Sequence, residues 1–413
     1  MRKAMATGDT DNPGGPFLAN VALRNYKSIA ACNVPLPAFA ALVGPNGSGK
    51  SNFLDALRFV RDALRNSLEY ALRDRGGIGE VRRRSSGHPT HFSMRLDVHL
   101  PAEGARGLYA FTVGSAESGG STVAEERCAL WGGPRGQTAH YHVRDGALVK
   151  ATAKVPAAIE KDRLYLGLVS GLPEFRPLYD ALTHMGFYNL NPAAIRELQS
   201  PDPAQVLARD GRNLASILRQ LEADNGWVKP RIEEYLAQVV PGVEGVDPKP
   251  IGPKETIEFR QKVCGAKHPW RFLAANMSDG TLRALGIIVA LFQNASQRRK
   301  PVPLVGVEEP EAALHPAAIS ALADAIFEAA ASTQVVITSH SPDLLDNGRI
   351  PAGSILAVTM EEGCTIIGPV DEAAREALRK GLYTPGELLR LQQIEPERPG
   401  QMRLAFFEDG LPE

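Results

Sequence analysis

No stretch of this 413-residue sequence is apolar for long enough to cross a bilayer. The longest apolar run, ALGIIVALF at 284–292, covers nine residues, against the roughly 20 that a spanning helix needs. It is expected to be a helix buried in the protein. An excess of one charge is also missing: 46 Lys and Arg face 47 Asp and Glu, for a net charge of −1. No global field draws such a chain to nucleic acid or to an anionic membrane, so binding of that kind needs a local patch. The four cysteines, Cys32, Cys128, Cys264 and Cys364, stand far apart with no C-x-x-C or Cys/His metal spacing. That excludes a disulfide framework and fits the reduced thiols of a cytoplasmic protein. The leader MRKAMATGDTDNPGGP (1–16) has two early basic residues but no apolar core after them, so it reads as disordered rather than as a signal peptide. Internal repeats are absent, and no heptad pattern is sustained between 51 and 278. What remains, 44% hydrophobic and 23% charged residues, is the composition of a globular protein.

The most informative stretch is VGPNGSGKS at 43–51, which fills the pattern G-x-x-x-x-G-K-[ST] with Gly44, Gly49, Lys50 and Ser51. A loop of this kind wraps backbone N–H groups around phosphate oxygens, sends its Lys to the terminal phosphates and offers its Ser hydroxyl to Mg²⁺. Gly44, Gly47 and Gly49 let the backbone turn and approach an anion with no Cβ in the way. The context fits. FAALV (39–43) predicts a short buried strand. KSNFLDALRFVRDAL (50–64) predicts an amphipathic helix with Phe53, Leu54, Leu57, Val60 and Leu64 on one face. Gly44, Pro45, Asn46, Gly47, Ser48, Gly49, Lys50, Ser51 and Asn52 are therefore the candidate phosphate-binding residues.

Elsewhere the pattern predicts an α/β chain with inserted pieces. FLANVALRNYKSI (17–29) has strand composition. RDRGGIGEVRRRSSGHP (73–89) is rich in Gly and Arg and is expected to be a loop that orders on binding. HFSMRLDVHL (91–100) alternates strictly, as a strand with one wet face does. The β pattern continues to 152 with a hairpin turn at Asp145-Gly146, which predicts an antiparallel subdomain. Residues 155–240 turn helical in NPAAIRELQ, RNLASILRQLE and PRIEEYLAQVV. From 254 onward strands and helices alternate again. The expected organisation is a disordered leader (1–16), a first lobe (17–153), a helical insertion (154–250), a second lobe (251–370) and a C-terminal helix and tail (371–413).

Three further pieces carry chemistry. PLVGVEEPEAALHP (303–316) is an apolar strand ending in Glu308 and Glu309, which puts carboxylates at the rim of a parallel sheet, where open α/β folds bind ligands. One acid can hold hydrated Mg²⁺ and the next can orient or deprotonate water. Taken alone, they are equally the acidic first turn of a helix. VVITSHSPDLL (335–345) is a second strand, with His340 at its tip. NMSDGTLRALGIIVALF (276–292) places Ser-x-Gly before a helix, whose N–H groups plus a hydroxyl form an anion site. Taken alone, S-D-G-T is also an ordinary N-cap.

In this order the motifs resemble the ATP-binding-cassette (ABC) ATPases. More narrowly they resemble the DNA-associated branch of RecF, SMC-type heads and the ATPase half of the OLD (overcoming lysogenization defect) family. The nearest likeness is to bacterial predicted ATPases filed as AAA ATPases. LRNYKSI (23–29), EEPEAALHP, ITSHSPDLL and YNLNPAAIRELQ…DGRNLASIL (188–218) carry it, over about residues 20 to 345. The resemblance implies a P-loop NTPase with an ABC-type head that uses ATP and Mg²⁺ and forms a homodimer on ATP. Residues 44–51 would be Walker A. Ser278, Asp279 and Gly280 would be the signature that meets the γ-phosphate held by a second subunit. Ser51 and Glu308 would hold the metal. Glu309 would be the catalytic glutamate, His340 the switch histidine, and 313–316 the D-loop region.

Two departures stand out. The metal position is usually Asp, and Glu308 is one methylene longer, so its Mg²⁺ contact must be rearranged. The Q-loop glutamine is missing, because no Gln lies between 52 and 136; His88 and His91 stand near that place. The long interval from Lys50 to Ser278 argues against a transporter subunit. Two functions stay open. One is a dimerising ATPase acting on double-stranded DNA in repair, recombination or anti-phage defence, with a net +3 over residues 55–84 and QRRK (297–300) as basic patches. The other is an ATPase sensor or scaffold holding a separately encoded effector such as a nuclease or toxin. A binding-only pseudo-ATPase is disfavoured by the intact Lys50, Ser51, Glu309 and His340. The segment after His340 is too short for a Toprim nuclease, so the chain is not expected to cut DNA itself.

Overall fold

The computed structural model describes residues 15–85, 89–116, 119–132, 138–152, 155, 160–203, 206–224, 226–295, 301–347 and 350–397. The described chain opens with a hairpin of β1 (Leu18–Tyr26) and β2 (Ile29–Pro35), turning at Lys27–Ser28. It is followed by β3 (Phe39–Val43) and α1 (Lys50–Arg65). Two short helices follow, α2 (Leu68–Arg73) and α3 (Ile78–Val81). Then comes an antiparallel meander, β4 (His91–Leu100), β5 (Ala105–Ser115), β6 (Ser121–Gly132), β7 (Ala139–Arg144) and β8 (Ala147–Ala151). The next stretch holds α4 (Tyr165–Val169), α5 (Arg176–Thr183), β9 (Gly186–Tyr188), α6 (Pro192–Arg196), α7 (Leu214–Asp224) and α8 (Val228–Val239). A small second sheet is made by β10 (Val243–Ile251), β11 (Lys254–Gln261) and β12 (Trp270–Leu273). The remainder alternates: α9 (Asp279–Phe292), β13 (Leu304–Glu308), α10 (Pro316–Ala330), β14 (Gln334–Ser339), α11 (Pro342–Leu345), β15 (Ile355–Glu361), β16 (Cys364–Pro369), α12 (Glu372–Arg379) and α13 (Pro385–Arg390).

One sheet of 13 strands runs β8-β7-β6-β5-β4-β1-β2-β16-β15-β3-β14-β13-β9. From β15 to β9 its neighbours are parallel, and the meander side is antiparallel. The parallel strands are covered on both faces, which is why FAALV is a continuous apolar run. Phe39, Ala41 and Val43 point to one core with α8, α9 and α10 residues such as Tyr235, Ile288 and Leu322. Ala40 and Leu42 point to the other, with Phe53, Leu54 and Leu57 of α1. The apolar run at 284–292 is buried throughout, within α9. Gln334 fastens the base of the sheet. Its side-chain carbonyl accepts from Leu18 N (2.8 Å), and its amide donates to Leu18 O (2.9 Å) and Pro37 O (3.0 Å). In the meander, the wet and dry faces of β4 follow the sequence alternation except at Ser93, which is buried against Thr112, and Asp145 and Gly146 turn the hairpin with φ of 49° and 76°.

Two expectations are corrected. Residues 154–250 are not helical throughout. The three-residue β9 joins the main sheet beside β13, and β10 crosses the 250 boundary. A strand of three residues is too short to show a period. Nor is 73–89 a loop waiting for a ligand in its described part. It forms α3 and a bridge from Arg82 to Tyr26. Arg75, only 2% exposed in its side chain, reaches Asp55 (3.0 Å) and Asp62 (3.1 Å). Lys27 and Arg58 also hold Asp55, Tyr26 OH donates to it (2.8 Å), and Arg61 holds Asp62. Arg58, Arg61 and Arg75 are thus each paired with a carboxylate of the same fold. Residues 1–14, 86–88, 297–300 and those after 397 lie outside the described residues, so the leader, His88, the QRRK patch and the tail do too.

Burial pushes the Asp55 carboxyl up, but Arg75 and Lys27 outweigh it and hold it well below the usual carboxylate range. A depressed folded pKa stabilises the protein above the unfolded value of about 3.9, and that contribution fades as pH falls below it. Asp55→Asn removes the carboxylate shared by Lys27, Arg58 and Arg75, leaves the buried Arg75 short of one partner, and is expected to cost about 3 kcal/mol at pH 7. Urea unfolding should show the gap to wild type shrinking as the pH is taken below about 4.

Candidate functional site

Strand β3 delivers residues 44–49 to the C-terminal end of the parallel strands, and α1 starts at Lys50. The floor of this loop is close-packed. A Cβ on Gly44 would lie 1.9 Å from Val358 O of β15, and one on Gly49, at φ +102°, would lie 2.0 Å from Thr365 Oγ1 of β16. The roof is open: Pro45, Asn46 and Gly47 are exposed, and Gly47, at φ +79°, faces free space. A chain of hydrogen bonds runs beneath. Asn52 Nδ2 donates to Ser28 Oγ (2.7 Å), Ser28 bonds Thr365 Oγ1 (2.7 Å), and Thr365 Oγ1 donates to Ser48 O (2.9 Å). Each hydroxyl both gives and receives, which strengthens the chain. Lys50 Nζ donates to Gly44 O (2.7 Å) and Pro45 O (2.9 Å). Burial pushes its pKa down, while Glu309 and Glu311 push it up. Ser51 is exposed at the helix start, and the buried Ser48 Oγ has no hydrogen-bond partner among the described residues.

The acids arrive from the neighbouring strands. Strand β14 lies between β3 and β13, so the ends of all three meet. Glu308 closes β13 and pairs with Arg209 (2.8 Å). Glu309 follows at φ 45°, its N–H donating to Thr338 O (3.1 Å). A left-handed backbone at a non-glycine residue is strained, and such strain gathers at functional positions. The Glu309 carboxylate lies 3.4 Å from His340 Nδ1, with both side chains about two-fifths exposed. Glu311, which sequence reasoning missed, is buried. One oxygen accepts from Ser339 Oγ (2.6 Å) and His340 N (3.3 Å), and Oε2 has no partner among the described residues. Its signal was the third acid of EEPE. Arg283 of α9 was missed too. It donates to Leu190 O (2.9 Å) and to the carbonyls of Glu308 and Glu309 (3.0 Å each), clamping the acidic turn.

Ser278 and Gly280 belong to a second group. Ser278 is exposed, and its Oγ accepts from Thr281 N (3.2 Å), capping α9. A Cβ on Gly280 would lie 2.5 Å from Ala313 O, and Ala313 has φ 64°, so this turn is packed against 313–316. Arg196 of α6 donates to Met277 O (3.1 Å) and pairs with Asp279. His91 begins β4 in register with Gly114. The structure thus brings Lys50, Glu309 and His340 together. Glu308 is engaged by Arg209, and Ser278 caps its own helix.

The cradle without side chains at Gly44 and Gly49, the unpartnered Ser48 hydroxyl, the Lys50 ammonium and the exposed Ser51 fit a polyphosphate anion. Among the described residues, no group of three or more His, Cys, Asp or Glu could hold a metal by itself. A divalent cation here would rely on phosphate oxygens, with Ser51 and one carboxylate.

The family described as "AAA domain, putative AbiEii toxin, Type IV TA system" matches residues 39–131 and 267–346. Structural maintenance of chromosomes protein 4 of Saccharomyces cerevisiae is 36% identical over 87 residues, which is 20% of this chain and 6% of that protein. The chromosome partition protein Smc of Methanocaldococcus jannaschii is 50% identical over 44 residues, 10% of this chain and 4% of that one. The chain therefore matches only a small part of the length of these relatives. The crystal structure of the Smc head bound to the C-winged helix domain of ScpA is similar over 87% of this chain and 100% of that one, with a TM-score of 0.53 and 18% identity. At that identity the likeness establishes the fold, an ABC-type P-loop head.

Gly49→Ala and Gly47→Ala separate the packed floor from the open roof. Gly47→Ala meets no atom and carries only the left-handed backbone cost of about 1–2 kcal/mol. Gly49→Ala adds a collision with Thr365. Its melting temperature should fall further than that of Gly47→Ala, and a reversed order would contradict the close packing described.

Proposed function

We propose that this chain, with the fold of an ABC-type P-loop head and a match to the AAA family model over residues 39–131 and 267–346, binds and hydrolyses ATP with Mg²⁺ and dimerises on ATP. The process it serves is DNA-related: repair, recombination or anti-phage defence. The observation that carries the catalytic part is the convergence of Lys50, Glu309 and His340 beside a glycine cradle at the ends of three parallel strands. Lys50 exchanges its two carbonyl acceptors for terminal phosphate oxygens. Ser51 and Glu308 would hold the metal, which would neutralise phosphate charge when bound. Glu309 orients the attacking water and takes its proton, and His340 steadies the Glu309 carboxylate. The loop 44–52 supplies the remaining donors.

Ser278 and Gly280 complete the site of a second copy, giving two composite sites about a two-fold axis. The exposure of Ser278 and the close packing of Gly280 on Ala313 support a preformed turn on the surface. Among the described residues no helix is long and apolar enough to cross a membrane, and we place the protein in the cytoplasm.

A second reading, a scaffold for a separately encoded effector without direct DNA contact, is favoured by the internal pairing of Arg58, Arg61 and Arg75. The toxin–antitoxin description of the matching family supports it as well. In the similar solved structure, the Smc head is bound to another protein.

Lys50→Ala should lose ATP binding, because no other Lys stands in the loop. Normal affinity and turnover in that variant would sink the assignment. Glu309→Gln keeps shape and hydrogen bonding but removes the base. It should bind ATP, turn it over very slowly and accumulate as a dimer, whereas Ser278→Arg should bind ATP and stay monomeric. Solution mass with and without ATP-Mg²⁺ decides this; a monomeric Glu309→Gln with ATP demonstrably bound would leave Ser278 as a helix cap only.

DNA contact is tested at Arg82, Arg83 and Arg84. Arg84 is 72% exposed in its side chain and paired with Glu80. Arg82 donates to Pro89 O (3.1 Å) and Arg83 to Cys364 Sγ (2.7 Å). Changing all three to Ala should flatten the log–log salt dependence of DNA affinity by at most about 3. An unchanged slope favours the scaffold.

A further inference from the structure

The pairing of Glu308 with Arg209 has a mechanical setting of its own. Arg209 belongs to the segment that returns beside β9. Its carbonyl accepts from Asn189 N (3.0 Å), and the next one, Asp210 O, accepts from Asn191 N (3.1 Å). Gly211, at φ +83°, is wedged against Ile195 and Leu190, with no room for a Cβ. Leu190 O in turn accepts from Arg283, the residue that clamps the carbonyls of Glu308 and Glu309. The backbone carrying Arg209 is therefore fixed relative to the acidic turn. Only the side chain, 42% exposed, is free to change partners.

We propose that Arg209 is a positioning residue that restrains Glu308: it neutralises this carboxylate until a metal ion displaces it. The inference rests on the reading of Glu308 as a metal-binding acid. Two physical facts support it. A guanidinium bonded to one carboxylate oxygen takes up a lone pair that a cation would use, and it adds a positive charge that repels the cation. Room for the released side chain is at hand as well. Arg209 lines a polar basin of about 700 Å³ whose walls also carry Asp62 and Asp74. Asp74 is 41% exposed in its side chain. Arg209 can turn from Glu308 into this basin. The extra methylene of Glu308 suits this exchange, since a longer side chain reaches both positions from one backbone site.

The measurement is the affinity of the full chain for a fluorescent ATP analogue, once with Mg²⁺ and once with EDTA. The ratio of the two is the gain from the metal. Arg209→Ala should leave the EDTA affinity unchanged and raise the gain about two- to fivefold, the range expected for removing a partly exposed ion pair. Arg209→Lys keeps the charge and should lie between it and wild type. Glu308→Gln should lose most of the gain, and adding Arg209→Ala to it should change nothing further. A gain that is unchanged or smaller in Arg209→Ala overturns the restraint. So does a loss of EDTA affinity, which would place Arg209 on the nucleotide or on the loop. If wild type binds no analogue in either condition, the proposed function fails and takes this inference with it. If wild type binds normally and only the Arg209 result is wrong, the restraint alone fails.

Discussion

One hydroxyl, that of Thr365, ties the loop at 44–50 to a strand far along the chain. It holds the Ser48 carbonyl from below and is itself fed by Ser28 and Asn52. Thr365 and Ser48 are 317 residues apart, and Thr365 and Ser28 are 337 apart. A single net hydrogen bond is worth about 1 kcal/mol, but a buried carbonyl left unpaired costs about 1–3 kcal/mol. With Gly49 pressed on the same side chain, β16 is as much a part of the cradle as the glycines are. Gly44 against the Val358 carbonyl adds β15 to the same floor.

The acidic side is a balance of charges, from the buried Glu311 to the half-exposed Glu309. Glu308, Glu309 and Glu311 are answered by Lys50, Arg209 and Arg283. Burial works against the charged forms of Lys50 and Arg283; Glu309 and Glu311 work for both, and Glu308 works for Arg283 as well. Strain appears at Glu309 and Ala313, on either side of Glu311, while Arg283 and Gly280 hold the turn in place from α9. The turn that carries the acids and the turn that carries Ser278 are therefore one packed unit.

Much of this was legible in the sequence, for identifiable reasons. FAALV and the helix after it have strong periods, and β3 and α1 follow them closely. EE and SH stand at strand ends, and the parallel sheet gathers such ends together. What stayed hidden depends on contacts distant in sequence. Nothing in CTIIGPV marks Thr365 as a partner of the loop. Arg75, Arg58 and Arg61 look like surface charge until Asp55 and Asp62 are seen facing them. Arg209 lies 99 residues before Glu308, in a stretch whose only local signal is a polar turn. β9 is too short to declare itself.

The long-range floor has a consequence for the order in which the chain is made. A ribosome releases β1, β2, β3 and α1 first, and they hold the whole loop sequence. Yet the strand that lies against β3 on one side, β14, and the pair that floors the loop, β15 and β16, emerge some 300 residues later. At about 5–20 residues per second, tens of seconds separate the two events. Throughout that interval β3 has α1 beside it but no neighbouring strand on either edge, a state prone to wrong pairings. Gln334, which clasps Leu18 across 316 residues, is among the first late residues able to end it.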